Sequence, residues 1–417
     1  MSRLAELIKE LCPDGVEYRR LGEIADLQRG SGMPKKLFID EGIPAIHYGH
    51  IFTKYGIHTK CAAAYLAPED ADKLTRVYPG DLVVANTSEN LEDVGKGVVW
   101  LGDVEGVTGG HATVVRSLAV DTVFLSYYLR TEDSALKKRK YAQGTKVIEL
   151  SAANLSKIDI PVPPLEVQRE IVRILDQFTT LEAELEAELE ARRTQYEHYR
   201  NHLLSYESLA ARGQVEMVKL GDIATRVVTG VTPQASNSRY YQDGSNPWIR
   251  TQDVNFNRIS AASEFVTDNA IDDLPLKWVK ANSVIVAISG ASAGRSAILG
   301  IDAVTNQHCC NLEIDSNRAD YRYVYYSLAA RYTELRGLGR GARGDLNVSI
   351  IKSFEIPVPS MEEQRRIADL LDHFDALVND ISSGLPAEIA ARRAQYEHYR
   401  DRLLSFPEKA ASGDDAP

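Results

Sequence analysis

The feature that most limits what this chain can fold into is that it repeats itself. Residues 191–204 read ARRTQYEHYRNHLL and residues 391–404 read ARRAQYEHYRDRLL, identical at 11 of 14 positions. Upstream, Ile160-Pro-Val-Pro163 recurs as Ile356-Pro-Val-Pro359, and Gln168-Arg-Glu-Ile171 as Gln364-Arg-Arg-Ile367. Fainter echoes run through the rest of the chain. Leu21-Gly-Glu-Ile-Ala25 matches Leu220-Gly-Asp-Ile-Ala224, and Leu82-Val-Val-Ala85 matches Val284-Ile-Val-Ala287. Thr108-Gly-Gly-His111 aligns with Thr305-Asn-Gln-His308, and the stretch from Phe124 to Leu129 with that from Tyr323 to Leu328. Repeats have to be found before single elements are assigned, because they decide the architecture. The order is domain, helix, domain, helix. Boundaries fall at 1–159, 160–212, 213–355 and 356–406, with an unstructured tail over 407–417.

Apolar residues in the first helical stretch recur at Ile171, Ile174, Phe178, Leu181, Leu185, Leu189, Tyr196, Tyr199 and Leu203. Steps of three and four, with Arg192 filling one gap, mark a coiled-coil seam. The second stretch answers with Ile367, Leu370, Phe374, Leu377, Ile381, Leu385, Ile389, Tyr396, Tyr399 and Leu403. At ~1.5 Å per residue, each helix spans roughly 60 Å. Pro386, after Ser382-Ser-Gly384, should kink or break the second helix. Two matched seams within one chain favour intramolecular antiparallel pairing, through Ile171, Phe178, Leu185, Tyr196 and Tyr199 on one side. Ile367, Phe374, Ile381, Tyr396 and Tyr399 supply the other. The expected fold class is therefore α/β (α+β): two globular domains alternating with two long helices paired as an antiparallel coiled coil, with internal pseudo-twofold symmetry.

The formal charge of −11 argues against nucleic acid until its distribution is examined. The two domains carry −2 and 0, whereas the helical segments and tail carry −4 and −5. Four cysteines without CxxC spacing read as free thiols in a reducing cytoplasm. No apolar run approaches the ~20 residues that span a bilayer, and the opening residues have no signal-peptide plan.

Catalytic motifs fail on context. Gly290-Ala-Ser-Ala-Gly294-Arg-Ser296 is one spacer short of a phosphate loop and has Arg295 where a lysine belongs. Gly339-Arg-Gly-Ala-Arg-Gly344 follows a helical pattern instead of a strand, the reverse of a dinucleotide site. Asn246-Pro-Trp248 lacks the second proline of an amino-methyltransferase loop. His308-Cys309-Cys310 reads as a buried strand, not a metal site. The tyrosine pairs Tyr127–Tyr128 and Tyr325–Tyr326 read as core.

Taken in order, these motifs resemble the specificity subunits of Type I restriction–modification systems. The resemblance rests on the IPxP-x-x-x-x-Q-x-x-I pattern that opens each helix and the RxxQYxxYRxxLL-like pattern that ends it. The run from Cys12 to Ile24 and Ser382-Ser-Gly-Leu-Pro386 add to it. It covers essentially the whole chain, departing where LEAELEAELEA replaces a Gly-Leu-Pro insertion in the first helix. It implies a non-catalytic subunit in which each globular, target-recognition domain reads one half of a bipartite, asymmetric site on double-stranded DNA. It also implies two methyltransferase subunits using S-adenosylmethionine and motor–nuclease subunits using ATP with Mg, none of these cofactors bound by this chain. Two other readings remain open from the residues alone: a DNA-independent scaffold, and a self-sufficient modification enzyme.

Base reading needs forked or amide side chains, and positioning needs cations at phosphates. In the first domain the candidates are Lys35, Lys36, His47, Tyr48, His50, Asn86, Lys96, Gln143 and Lys146. The run containing Lys138 and Arg139 is the densest in cations and reads as a phosphate contact. In the second domain Arg250, Gln252 and Asn255 fall on alternate positions of an expected strand end. Arg295 sits in the glycine loop, Asn306, Gln307 and His308 follow the repeated Thr305, and Arg340 and Arg343 lie in a Gly/Arg loop.

Overall fold

The computed structural model of the chain describes residues 3–341, 344–379 and 384–409. Two compact units divide it, residues 1–185 with 389–417 and residues 186–388. The units do not follow the linear partition at 159, 212 and 355, because each takes one globular domain and part of both helical stretches.

In the first unit, five strands lie side by side in the order Ala25–Arg29, Ala112–Ser117, Leu82–Ala85, Gly97–Trp100, His58–Thr59. All neighbours are antiparallel except the last pair. A smaller sheet runs Tyr65–Leu66, Ile43–Ile46, Gly106–Thr108, Thr75–Val77, with its central pair parallel. The second unit builds the same plan from unlike residues. Its large sheet runs Ala224–Thr229, Cys309–Ile314, Val284–Ala287, Ser296–Leu299, Arg258–Ile259, again with only the last pair parallel. Its small sheet is Glu264–Val266, Asn246–Ile249, Val304–Thr305, and a lone Val279–Ala303 bridge stands where the fourth strand was. The central strands Leu82–Ala85 and Val284–Ala287 are buried at every position. That explains why they read as continuous β-branched runs instead of alternating ones.

Each domain is closed by a two-stranded antiparallel ribbon, Glu17–Arg20 with Asp159–Val162 and Glu216–Lys219 with Glu355–Val358. The second strand of each ribbon carries the Ile-Pro-Val-Pro motif out into a helix. A buried glutamine then ties that helix down. Gln168 is 0% exposed; its amide donates to the Pro163 carbonyl at 2.6 Å and its Oε1 accepts the Asp121 N–H at 2.7 Å. Gln364 is 1% exposed and repeats both bonds, to the Pro359 carbonyl at 3.0 Å and from the Asp320 N–H at 2.9 Å. Asp121 and Asp320 are themselves the N-caps of Thr122–Tyr128 and Tyr321–Ala330. The repeated proline-to-glutamine spacing is thus the distance needed to join two helix starts.

The helix Leu165–Leu203 is continuous over 39 residues. Its opening turns pack on their own domain, with Ile171 and Leu175 in the first domain's core; Ile367 and Leu371 do likewise in the second. The assignment of Ile171 and Ile367 to the helix–helix seam is therefore corrected: they anchor helix to domain. Farther along, antiparallel contacts appear inside each unit. In the first unit the Phe178 ring lies 5.8 Å from Tyr399 and 6.4 Å from Tyr396, and Glu182 pairs with Arg393. In the second unit buried Tyr196 and Asp375 line one concavity, and Leu185, at the end of the first unit, is half-buried. Tyr199 and Phe374 are exposed at 50% and 39%, so neither belongs to a buried seam. Ile381 lies outside the described residues.

The second helical stretch is described as Met361–Asn379 and Gly384–Leu403, with Pro386 in the first turn of the latter, where a missing N–H costs little. Gly384 has φ +74°, and a Cβ there would lie 2.5 Å from the Leu377 carbonyl oxygen. Past the helix, Val16 bonds to the Pro407 carbonyl at 2.9 Å and the Lys409 N–H to the Val16 carbonyl at 2.9 Å. Order therefore extends through residues 407–409, which the sequence assigned to a tail.

Replacing Gln168 or Gln364 by leucine leaves a part-buried N–H and a buried carbonyl without partners, the carbonyl alone costing about 1–3 kcal/mol. Either variant should melt lower by about 5–10 °C in a thermal circular-dichroism scan. An unchanged melting temperature would show that the clamp contributes nothing.

Candidate nucleic-acid interface

In the first domain the ends of several strands converge on one face. Strand Ala25–Arg29 passes into Gly30 where the chain crosses Gly109; a Cβ at Gly30 would sit 2.0 Å from the Gly109 oxygen. Arg29 donates through Nε to the Gly110 carbonyl and through Nη2 to Glu149, both at 3.4 Å. Strand Ile43–Ile46 ends at His47, which caps the helix Tyr48–Thr53 by accepting the Gly49 N–H on Nδ1 at 3.1 Å. Around it gather Phe38, Tyr48 and His50, with ring centroids 4.6–5.5 Å away, and the His111 ring lies tilted against Tyr48 at 5.0 Å. Burial, with His50, Lys35 and His111 nearby, pushes the His47 imidazole down to about 4, so it is neutral at physiological pH. Burial and the Lys54 and Lys35 charges lower His50 as well. Between Arg29, Met33, Pro34, His47, Tyr48 and His111 is a concavity of about 310 Å³.

Lys35 and Lys36 are exposed in the 3-10 turn Lys35–Leu37 beside this face. Gln143 and Glu149 exchange backbone bonds at 2.9 and 2.7 Å and close a hairpin whose tip exposes Lys146. Other candidates fall elsewhere. Asn86 is buried and acts as a brace: its Oδ1 accepts the Thr113 hydroxyl at 2.8 Å, while its backbone bonds to His111 and Leu150. Lys96 pairs with Asp93. Lys138 is 1% exposed and donates to the Leu129 carbonyl at 2.8 Å, capping the end of a helix inside the core. It cannot reach a phosphate. Of that cationic run, Arg139 is exposed, while Lys137 is spent on Asp133 and Tyr128.

The second domain repeats the backbone and changes the chemistry. Gly230 crosses Thr305 as Gly30 crosses Gly109, a Cβ there lying 1.6 Å from the Thr305 oxygen. Thr232 bonds to Gln307, whose amide nitrogen lies 3.3 Å from His308 Nε2. Nearly buried Asn306 accepts the His308 N–H at 3.1 Å. Strand Asn246–Ile249 ends at Arg250, and Thr251–Asp253 is a 3-10 turn. Arg250, Gln252 and Asn255 therefore do not alternate along a strand; Gln252 and Asn255 are exposed on the turn and the loop after it. Arg295 donates to Asn255 at 2.8 Å. Arg340 exchanges backbone bonds with Asp345, as Gln143 does with Glu149, and Asp345 in turn accepts the Gly290 N–H. Arg343 lies outside the described residues.

Gly290–Ser292 leads into strand Ser296–Leu299, so no helix start faces that loop. Cys309 and Cys310 lie in a buried strand, where burial raises both thiols, Cys310 to about 12. Among the described residues no three His, Cys, Asp or Glu side chains gather as a metal site would require. The pairs Tyr127–Tyr128 and Tyr325–Tyr326 are core. Arg29, Glu149 and Glu264 were missed in the sequence. The repeated segment ending at His111 and His308 pointed to this face, as did His47, Tyr48 and Arg250.

Two copies of one strand order, alike in backbone and unlike in the side chains at the strand ends, make the chain a tandem of two related α/β domains. The family model of the Type I restriction modification DNA specificity domain matches twice, over residues 13–191 and 213–391, and the chain belongs to that family. It is 34% identical over 296 residues to the specificity subunit of an Escherichia coli type I restriction enzyme, covering 68% of this chain and 70% of that one. A putative type I specificity subunit of Haemophilus influenzae is 26% identical over 414 residues, covering 94% and 96%. A solved chain of a type I R-M system matches at TM-score 0.67 and 16% identity, covering 94% and 98%. The S subunit of M. genitalium matches at TM-score 0.53 and 16% identity, covering 94% and 96%. No helix among the described residues is long and apolar enough to cross a membrane.

The buried lysine offers a check on this division between core and face. Desolvation, then Lys96 and Arg130, lowers Lys138 to about 7. An unfolded lysine titrates near ~10.4, so the unfolded chain holds the extra proton between those values and stability rises with pH across that window. The melting temperature should climb from pH 7 to pH 9, and Lys138→Met should flatten that climb. Equal slopes in both proteins would place Lys138 at the surface.

Proposed function

We propose that each globular domain reads one half of a bipartite, asymmetric double-stranded DNA site, and that the helical stretches set the spacing between the halves. The observation that carries this reading is a substitution of chemistry at fixed backbone. The residue leaving the central strand of the small sheet is a neutral His47 in one domain and a cationic Arg250 in the other. Two sites built alike but lined differently suit two different half-sequences. Exposed Lys35, Lys36, Lys146 and Arg139 supply phosphate contacts that carry affinity without sequence information.

The chain acts without catalysis of its own. Two methyltransferase subunits dock on the helical stretches and bring S-adenosylmethionine chemistry, and motor–nuclease subunits bring ATP with Mg. Support for partners comes from the solved relative, which was determined in work on complex assembly of the type I R-M system. The complex works in the cytoplasm, where its free thiols stay reduced.

Exchanging residues 213–355 for the corresponding domain of a divergent relative should change one half of the methylated sequence and leave the other half and the spacing intact, read by mapping methylated sites. A DNA-independent scaffold would show no change of sequence, and methylation by the isolated chain with S-adenosylmethionine would establish a self-sufficient enzyme instead.

A further inference from the structure

Arg250 is held in a frame that exists in only one of the two domains. Strand Asn246–Ile249 runs antiparallel to Glu264–Val266 with Trp248 opposite Glu264. That register delivers both side chains to the arginine that follows. Glu264 binds Arg250 Nη2 at 2.6 Å, and the Trp248 ring centroid lies 5.7 Å from the guanidinium carbon. The Arg250 N–H is tied to Asp253 at 2.8 Å, and Ser263 in turn donates to Asp253 at 2.7 Å. Nε is buried without a hydrogen-bond partner, Nη1 has none among the described residues, and 27% of the side chain remains exposed.

The first domain supplies the control. Ile46 pairs with Thr108 and Ile249 with Thr305, in the same parallel arrangement, so His47 and Arg250 occupy one position. Counting back in that register, Ala45 stands where Trp248 does. The Ala45 N–H bonds to the Ala64 carbonyl, so Ala64 stands where Glu264 does. Carboxylate, indole and guanidinium are present together or replaced together. Trp248 also fills a small core with Val266, Ala270 and Val304, a place that Ala45 takes in a differently packed core of the first domain, whereas the carboxylate of Glu264 is directed at Arg250.

We infer that Arg250 is a base-reading arginine, oriented by Glu264 and Trp248 to present its free end to the O6 and N7 acceptors of a guanine in the major groove. This rests on the reading of the domains as DNA-recognition modules. A guanidinium fixed at one nitrogen and supported on an aromatic face meets those two acceptors with little left to order, whereas a lysine lacks the fork. Arg295 is committed to Asn255, and Arg340 has no such frame. Glu264 acts as a positioning residue.

The test uses the complex of this chain with its methyltransferase subunits. Its recognition sequence is mapped first, and binding is then competed at fixed salt against duplexes changed at one base pair at a time in the second half-site. The unaltered complex should discriminate for G·C at one position by about tenfold to a hundredfold. Arg250→Ala and Arg250→Lys should lose that discrimination while the other positions and non-specific binding are retained. Glu264→Gln should lose part of it. Arg250→Lys keeps the stem and the charge, so it decides the matter if the alanine variant does not fold. Uniform weakening across all sequences, or preserved discrimination at every position, overturns the inference. Exchange of residues 213–355 separates the two levels. If the exchange alters the half-site but Arg250→Lys alters no position, only the role of Arg250 fails. If the exchange alters nothing, the domain reading fails as well.

Discussion

A glutamine without access to water holds each domain to its helix, and much of the architecture follows from that bond. Gln168 and Gln364 each join a proline carbonyl at the end of a ribbon to the N–H of an aspartate that caps a second helix. Three elements meet at one side chain: the ribbon closing the domain, the helix on its sheet, and the helix leaving it. An amide suits this position because it donates and accepts at once. A carboxylate would only accept, and a hydrocarbon would leave a buried carbonyl and a part-buried N–H unpaired. Ile171 and Leu175, and likewise Ile367 and Leu371, then continue the attachment by burial in the domain core.

The candidate faces are organised by backbone instead of side chain. Gly30 and Gly230 permit a crossing that a Cβ would forbid, and the backbone-bonded pairs Gln143–Glu149 and Arg340–Asp345 stand at matching places. Hydrogen-bonded main chain fixes where the loops go. The outward side chains of those loops are then little constrained by folding, and the two domains fill them with imidazoles on one side and with amides and arginines on the other.

The repeat, the helices and the buried strands were legible because each depends on a local pattern. Periodicity located Leu165–Leu203, and apolar runs located Leu82–Ala85 and Val284–Ala287. What the sequence could not reveal was which cations reach solvent. Lys138 and Arg139 are neighbours in a basic run, yet one caps a core helix end and the other is exposed. On a helix, consecutive residues point in different directions, and a composition count averages over them. Arg29 and Glu149 are 120 positions apart, and no local signal joins them. Asn86 had the chemistry of a reader but serves as a brace, because its strand neighbours draw it inward.

The same reasoning explains why the small sheet can tolerate unlike residues at matching positions. Trp248 and Glu264 project from a short antiparallel pair, and Ala45 and Ala64 stand at the matching places of the same backbone in the first domain. The strand pairing survives the exchange, while the groups offered at its end change from a fixed cation to a neutral imidazole. Main-chain pairing thus persists while the side chains at the strand end differ. A domain built this way can acquire a new preference through two or three side chains without disturbing the glutamine clamp that keeps it in place.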